Sequence, residues 1–177
     1  MSKRKKHLFK VIIVGDGGVG KSTMVQRLIT GKYIAQKITI GTDLATYSIE
    51  RNDATIVLQL WDFAGERRFR FFLPNYSRGA TGCLLCYDIT RRNTFKNLEE
   101  WYDIVQNNAS NPVIYLVGCK QDLAEKKRGV LKEDALDYKE KMGFERFFET
   151  SSKTGYHINP VYEELIEDII EKKDIII

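Results

Sequence analysis

Two histidines, three cysteines and three prolines are spread over 177 residues, and no apolar run is long. Each scarcity closes a class of function. His7 and His157 stand far apart in the chain, so neither has the neighbours of a histidine-built metal centre or general base. Cys83, Cys86 and Cys119 are odd in number and all lie inside apolar runs, which excludes a disulfide framework and fits a reducing, cytoplasmic compartment. Cys83 and Cys86 do space as C-x-x-C. In a strand, however, a separation of three puts them on opposite faces, wrong for a shared metal. No stretch approaches the roughly 18 apolar residues of a membrane span. The basic start runs into Leu8, Phe9 and Lys10 without an apolar segment of signal-peptide length. An evenly basic surface is missing too. There are 28 basic residues against 24 acidic ones, but Lys3, Arg4, Lys5, Lys6 and Lys10 crowd the first ten. The remainder is within one charge of neutral, which argues against a nucleic-acid binder.

What the sequence does contain is 43% hydrophobic and 29% charged residues, the make-up of a soluble globular domain. A chain of this size buries about 70% of its unfolded surface. Residues 1–7 read as a basic extension, residues 8–173 as the domain and residues 174–177 as a short end. The extension is either a solvated tail or a weak contact with anionic lipid. At about 1 kcal/mol per basic residue near such a surface it assists docking without being a sole anchor.

Along the domain, apolar runs alternate with helical patterns. Residues 8–14 form a β-branched strand ending at Gly15, and a helix follows from Lys21 until Gly31 stops it. Residues 32–43 are polar. Residues 44–50 and 55–62 read as a hairpin around Arg51, Asn52 and Asp53. Residues 83–87 and 113–117 are short continuous apolar strands, as strands covered on both faces should be. Helices are expected over 93–106, 132–142 and 160–172, with one more strand at Phe147 and Phe148. This order predicts an α/β domain: a mostly parallel six-stranded sheet with one antiparallel strand, and helices on both faces, in three layers. Ligands of such sheets sit outside the carboxyl ends of the strands.

Gly15-Asp16-Gly17-Gly18-Val19-Gly20-Lys21-Ser22 matches G-x-x-x-x-G-K-[ST] and lies between a strand and a helix, where its mechanism needs it. The glycines let backbone N–H groups wrap a phosphate chain, and the helix N-terminus adds its positive end. Lys21 reaches the β- and γ-phosphates, the Ser22 hydroxyl ligates Mg²⁺, and Thr23 flanks them. This loop makes the chain a P-loop NTPase by expectation but does not choose between ATP and GTP, or between kinase and hydrolase. A kinase needs a phosphoacceptor site and lid, and no segment reads as either.

Two later segments, Trp61-Asp62-Phe63-Ala64-Gly65-Glu66 and Gly118-Cys119-Lys120-Gln121-Asp122, complete a set of ordered motifs. Together with the phosphate loop they resemble the Ras superfamily of small GTPases. The Rab branch is resembled most, through Ile40-Gly41-Thr42-Asp43-Leu44, Arg68-Phe69-Arg70, Tyr76-Ser77-Arg78-Gly79-Ala80 and Tyr87-Asp88-Ile89-Thr90. The similarity runs from about Phe9 to Ile170. It implies GTP/GDP and Mg²⁺ as ligands and a switch that hydrolyses GTP, in membrane-traffic-type regulation. By the resemblance, Asp122 reads guanine, its carboxylate accepting from the N1–H and the exocyclic amine. The Lys120 stem covers the base, Tyr33 stacks at its edge, and Ser151, Ser152 and Lys153 meet its O6. Thr39 and Asp62 join Ser22 at Mg²⁺, and the N–H of Gly65 reaches the γ-phosphate. Catalysis falls to Glu66, Lys21 and Gly65.

The same resemblance implies effectors, exchange factors and GTPase-activating proteins that read residues around 34–44 and 62–78. It implies a monomer, cytoplasmic or peripheral at a membrane. Rab proteins usually end in prenylated cysteines, whereas this chain has none beyond Cys119 and therefore shows no lipidation motif.

Departures from the family pattern are informative. Glu66 stands where glutamine is usual, keeping an acceptor for the attacking water but losing the amide donor. Two readings follow: slow hydrolysis with Glu66 positioning water, or a GTP/GDP-binding scaffold with little turnover. Cys119 replaces the asparagine whose amide tethers the phosphate loop to the base loop. A thiol is a weak donor, so nucleotide should exchange faster. The segment between Lys21 and Thr39 is one residue shorter than in typical Rabs, and Phe63 replaces a small threonine.

Overall fold

The computed structural model describes residues 4–36 and 38–177, so Lys3 of the basic cluster lies outside the described residues. Six strands form one sheet: β1 (Lys5–Val14), β2 (Thr42–Arg51), β3 (Ala54–Phe63), β4 (Gly82–Asp88), β5 (Val113–Cys119) and β6 (Arg146–Thr150). Their order is β2-β3-β1-β4-β5-β6. Only β2 runs antiparallel to its neighbour, and it turns into β3 at Asn52 and Asp53, with Asn52 left-handed at φ 48°. The expected mixed sheet is what forms.

Alternation along β1 explains the layers. Phe9, Val11 and Ile13 join one buried cluster, under α1 (Lys21–Thr30) and α7 (Ile158–Lys172). Ile12 and Val14 join the other, under α4 (Leu98–Asn108) and α6 (Lys132–Met142). Every residue of β4 and β5 is buried, as central strands covered on both faces require. Cys86 packs in the first cluster and Cys83 in the second, on opposite faces of the sheet.

Several elements differ from the sequence reading. The extension expected over residues 1–7 is shorter, because Lys5, Lys6 and His7 already pair with Ala54, Thr55 and Ile56 of β3. Their side chains carry no apolar signal, yet the backbone ladder continues through them. The helix expected over 93–106 breaks at Asn97 into α3 (Arg92–Lys96) and α4, and the Asn97 side chain donates to Asp16 at 2.6 Å. Before β4, residues Arg67–Phe72 form a 3-10 segment leading into α2 (Leu73–Ser77), with Pro74 in its first turn. A short helix, α5 (Ala124–Lys127), precedes α6. At the C-terminal end Ile175 and Ile177 pack back on the first cluster while Ile176 stays exposed. No helix among the described residues is long and apolar enough to cross a membrane.

Because β1, β3, β4, β5 and β6 are mutually parallel, the loops after them emerge at one edge of the sheet. Those loops carry residues 15–20, 64–66, 89–91, 120–123 and 151–157.

Candidate functional site

The turn leaving β1 admits only glycine at its first position. Gly15 has φ +145°, and a Cβ there would lie 2.1 Å from the Cys86 carbonyl oxygen. The loop can therefore sit hard against β4. Gly20 then enters α1 at φ 115°, and the buried Val19 anchors the loop in the core. The Lys21 ammonium folds back to donate to the carbonyls of Gly15 at 2.7 Å and Asp16 at 2.8 Å. Burial lowers its pKa from the usual lysine value, opposed by the negative field of Asp62.

Asp16 turns away from the cleft. It accepts from Asn97 and, at 2.8 Å, from Trp101 Nε1, and Arg70 approaches it at 3.8 Å. Arg70 also lies over the Trp101 ring at 4.3 Å and bonds to Glu100. The loop is thereby braced on the outside by α4 and by the segment after β3.

Beside Lys21 three oxygen-bearing side chains converge. Ser22 Oγ and Thr39 Oγ1 are 2.7 Å apart, and Ser22 donates to Asp62 Oδ2. Asp62 is 3% exposed, and its other oxygen is buried with no hydrogen-bond partner. Burial pushes its carboxyl up to about 6, against the pull of Ser22 and Lys21. A buried carboxylate with a free oxygen beside two hydroxyls is the donor chemistry of a small hard cation. These residues fit Mg²⁺.

The cleft itself has two parts. A cavity of about 540 Å³ is lined by Gly17, Gly18, Gly20, Lys21, Ser22, Thr23, Tyr33, Thr39, Gly65, Glu66 and Lys120, among others. A smaller one of about 270 Å³ is lined by Cys119, Asp122, Ser152 and Lys153. Gly20, Thr23, Tyr33 and Lys120 line both, so the two are continuous. Gly15, Asp16, Val19, Asp62 and Ser151 line neither and act from behind the walls. Leu123 lines the cleft without having been singled out in the sequence, and Ala35, Gln36 and Ile38, expected only within the partner-reading residues 34–44, line it too. No motif marks them, since only loop geometry brings them there.

On the smaller side Lys120 adopts the left-handed conformation, φ 68°, which turns the chain after β5. Asp122 Oδ1 accepts from Ser151 Oγ at 2.7 Å, and Ser151 Oγ in turn accepts from Thr154 N–H at 3.1 Å. Its Oδ2 has no hydrogen bond to the protein among the described residues. Each carboxylate oxygen has about two acceptor sites, so the Ser151 bond fixes the side chain and leaves both oxygens able to accept. Lys120 Nζ pairs with Asp88 at 2.7 Å. Cys119 is 4% exposed and packs beside Gly20.

At the other end, Gly65 lies against the phosphate loop: a Cβ there would stand 2.0 Å from Gly17 N. Glu66 lines the cleft, and its carboxylate pairs with Arg68 Nε at 2.7 Å. Ile38 and Ile40, 79% and 75% exposed, flank Thr39, and Phe71 is exposed beyond Glu66.

Comparison with known proteins agrees with this architecture. The model of the Ras family matches residues 10–171. Ras-related protein Rab-19 of Rattus norvegicus is 40% identical over 171 residues, covering 96% of this chain and 78% of that protein. The Ypt/Rab-type GTPase ypt7 of Schizosaccharomyces pombe is 37% identical over 180 residues, 98% of this chain and 88% of its own. Ras-related protein RABA2a of Arabidopsis thaliana is 39% identical over 174 residues, covering 96% and 79%.

Proposed function

The chain belongs to the Ras family and is a Rab-like GTPase, and from that premise we propose that it is a GTP/GDP switch whose nucleotide occupies the two-part cleft. The observation that carries this reading is the continuity of the cleft: a phosphate-shaped loop and a cation-type oxygen cluster at one end, and a braced carboxylate at the other. The larger cavity takes the phosphates and the smaller one the base. Asp122 selects guanine, because adenine has no N1–H and carries its amine at C6 rather than C2, which would leave the carboxylate facing an acceptor with its pairing lost. Penalties of that kind reach about 10⁴-fold.

Ser22, Thr39 and Asp62 hold Mg²⁺, which when bound neutralises charge on the phosphates. Lys21 binds the phosphate chain and, being nearly buried, acts in a weakly screened environment. Glu66 supplies an acceptor that orients the attacking water. Its pairing with Arg68 tempers the negative charge that a glutamate would otherwise bring beside the γ-phosphate. Loss of that phosphate frees the segments around Thr39 and Gly65, and their two states present different surfaces. The exposed Ile38, Ile40, Leu44 and Phe71 belong to residues 34–44 and 62–78, where effectors, exchange factors and GTPase-activating proteins bind as the switch regulates membrane traffic.

Single-turnover GTP hydrolysis by the wild type and by Glu66→Gln tests the catalytic part. Slow cleavage above buffer in the wild type, altered in the variant, is expected. GTP bound without any cleavage selects the scaffold reading instead.

A further inference from the structure

We infer that Arg91 and Asp88 tie the phosphate loop to the base loop, so that Arg91 is a positioning residue that sets how slowly bound nucleotide leaves. The inference rests on the proposed nucleotide site and adds a device to it. Among the described residues, no hydrogen bond joins residues 15–20 directly to residues 119–123. Cys119 meets the phosphate loop by packing alone: a Cβ on Gly20 would lie 3.6 Å from Cys119 Cβ and 4.0 Å from its Sγ. The polar connection goes instead through Asp88, at the end of β4 between the two loops.

Arg91 Nη2 donates to the Gly17 carbonyl at 3.0 Å, and Arg91 Nε donates to Asp88 Oδ2 at 3.1 Å. Lys120 Nζ meets the same oxygen at 2.7 Å. The other oxygen, Oδ1, accepts from Thr90 N–H at 2.8 Å and from Thr90 Oγ1 at 2.7 Å. One carboxylate, 1% exposed, is therefore shared by a cation from each side of the cleft. Burial pushes the Asp88 carboxyl up, and the bonds from Lys120 and Thr90 more than offset it, so it stays ionised below the usual carboxylate range. Arg91 suits the outer link because its planar fork serves two acceptors at once, which an ammonium on a flexible stem does not reproduce. The relay does with charge what the thiol of Cys119 is too weak a donor to do.

The arginine is about half exposed, whereas Asp88 is the acceptor on which the chain reversal after β4 is built, so Arg91 is the residue to change. Release of fluorescently labelled GDP is the readout, with Mg²⁺ present throughout. Arg91→Ala should speed release about tenfold, the effect of one charge-assisted hydrogen bond. Arg91→Lys should restore little of this. Raising the salt concentration should speed release from the wild type more than from Arg91→Ala, since an exposed ionic link is screened. Adding Cys119→Asn to Arg91→Ala should recover most of the loss, because a direct amide link then replaces the relay. Arg92→Ala, whose guanidinium pairs with Asp134 at 3.1 Å, should release GDP at the wild-type rate. Wild-type release from Arg91→Ala, or equal acceleration with Asn at position 119, overturns the inference while leaving the nucleotide site standing. A wild-type protein that fails to bind labelled GDP overturns both.

Discussion

Gly15, behind the phosphate end of the cleft, and Asp122, in the wall of its base end, tolerate change in different ways. Around the phosphates the loop is held in place by backbone contacts. Gly15 presses on the Cys86 carbonyl, Gly65 presses on Gly17, and the carbonyls of Gly15 and Asp16 orient Lys21. A side chain added at Gly15 or Gly65 has nowhere to go. Around the base the walls are side chains, held by Ser151, Asp88 and the packing of Cys119. Such walls can be exchanged one at a time while the fold survives. Backbone construction suits a phosphate chain common to every nucleotide, and side-chain construction suits the part that must discriminate. The departures in this chain follow that division, since Cys119 lies on the side-chain half and the phosphate loop keeps its full motif.

The contrast can be broken most severely at Gly15. Gly15→Ala forces a Cβ into a carbonyl at a left-handed φ, and should cost more than about 3 kcal/mol, seen as a large fall in Tm together with lost nucleotide binding. Survival of either would mean that the backbone half is softer than its contacts imply. Next comes Lys21→Ala. It should weaken GDP binding about a hundredfold, by titration, because it removes a charged partner that no neighbour replaces. Cys119→Asn should act in the opposite direction, tightening GDP binding by about 1–3 kcal/mol through the amide links it restores. Unchanged affinity would remove Cys119 from the account of fast exchange.

The smallest expected effect on the cleft is none at all, from a change at the far edge of the sheet. Asp168 accepts from Arg146 at 2.7 Å and from the Tyr115 hydroxyl. The Arg146 guanidinium holds the Asp168 carboxyl below the usual carboxylate range. Its contribution is therefore present above the ordinary aspartate pKa near 4 and is lost as pH falls through the lower folded value. Asp168→Asn should cost about 1 kcal/mol at neutral pH, read as a lower Tm, and narrow the gap to the wild type in acid. GDP release should not change. A changed release rate would show that the two edges of the sheet are coupled.

Much of this division was legible in residue types. The β-branched run ending at Gly15, the hairpin and the buried strands around Cys83 to Tyr87 follow from periodicity, because their neighbours lie close in sequence or on both faces. The phosphate loop was legible because its motif is contiguous. What escaped depends on contacts between distant residues. The break at Asn97 follows from a bond to Asp16, 81 positions away, which no helical pattern announces. The start of β1 at Lys5 follows from pairing with Ala54, although its side chains read as a solvated tail. Arg91 carries no motif and gains its meaning only from the Gly17 carbonyl, 74 positions away.

The division of labour in the cleft stands on Asp122 more than on any other side chain, and the affinities of GDP and ADP for the wild type and Asp122→Ala test it most directly, each measured with Mg²⁺. The wild type should prefer GDP by a large factor, up to about 10⁴-fold. Asp122→Ala should lose most of that preference while still binding both diphosphates through the intact phosphate half. Equal binding of GDP and ADP by the wild type, or an undiminished preference in Asp122→Ala, would contradict the account.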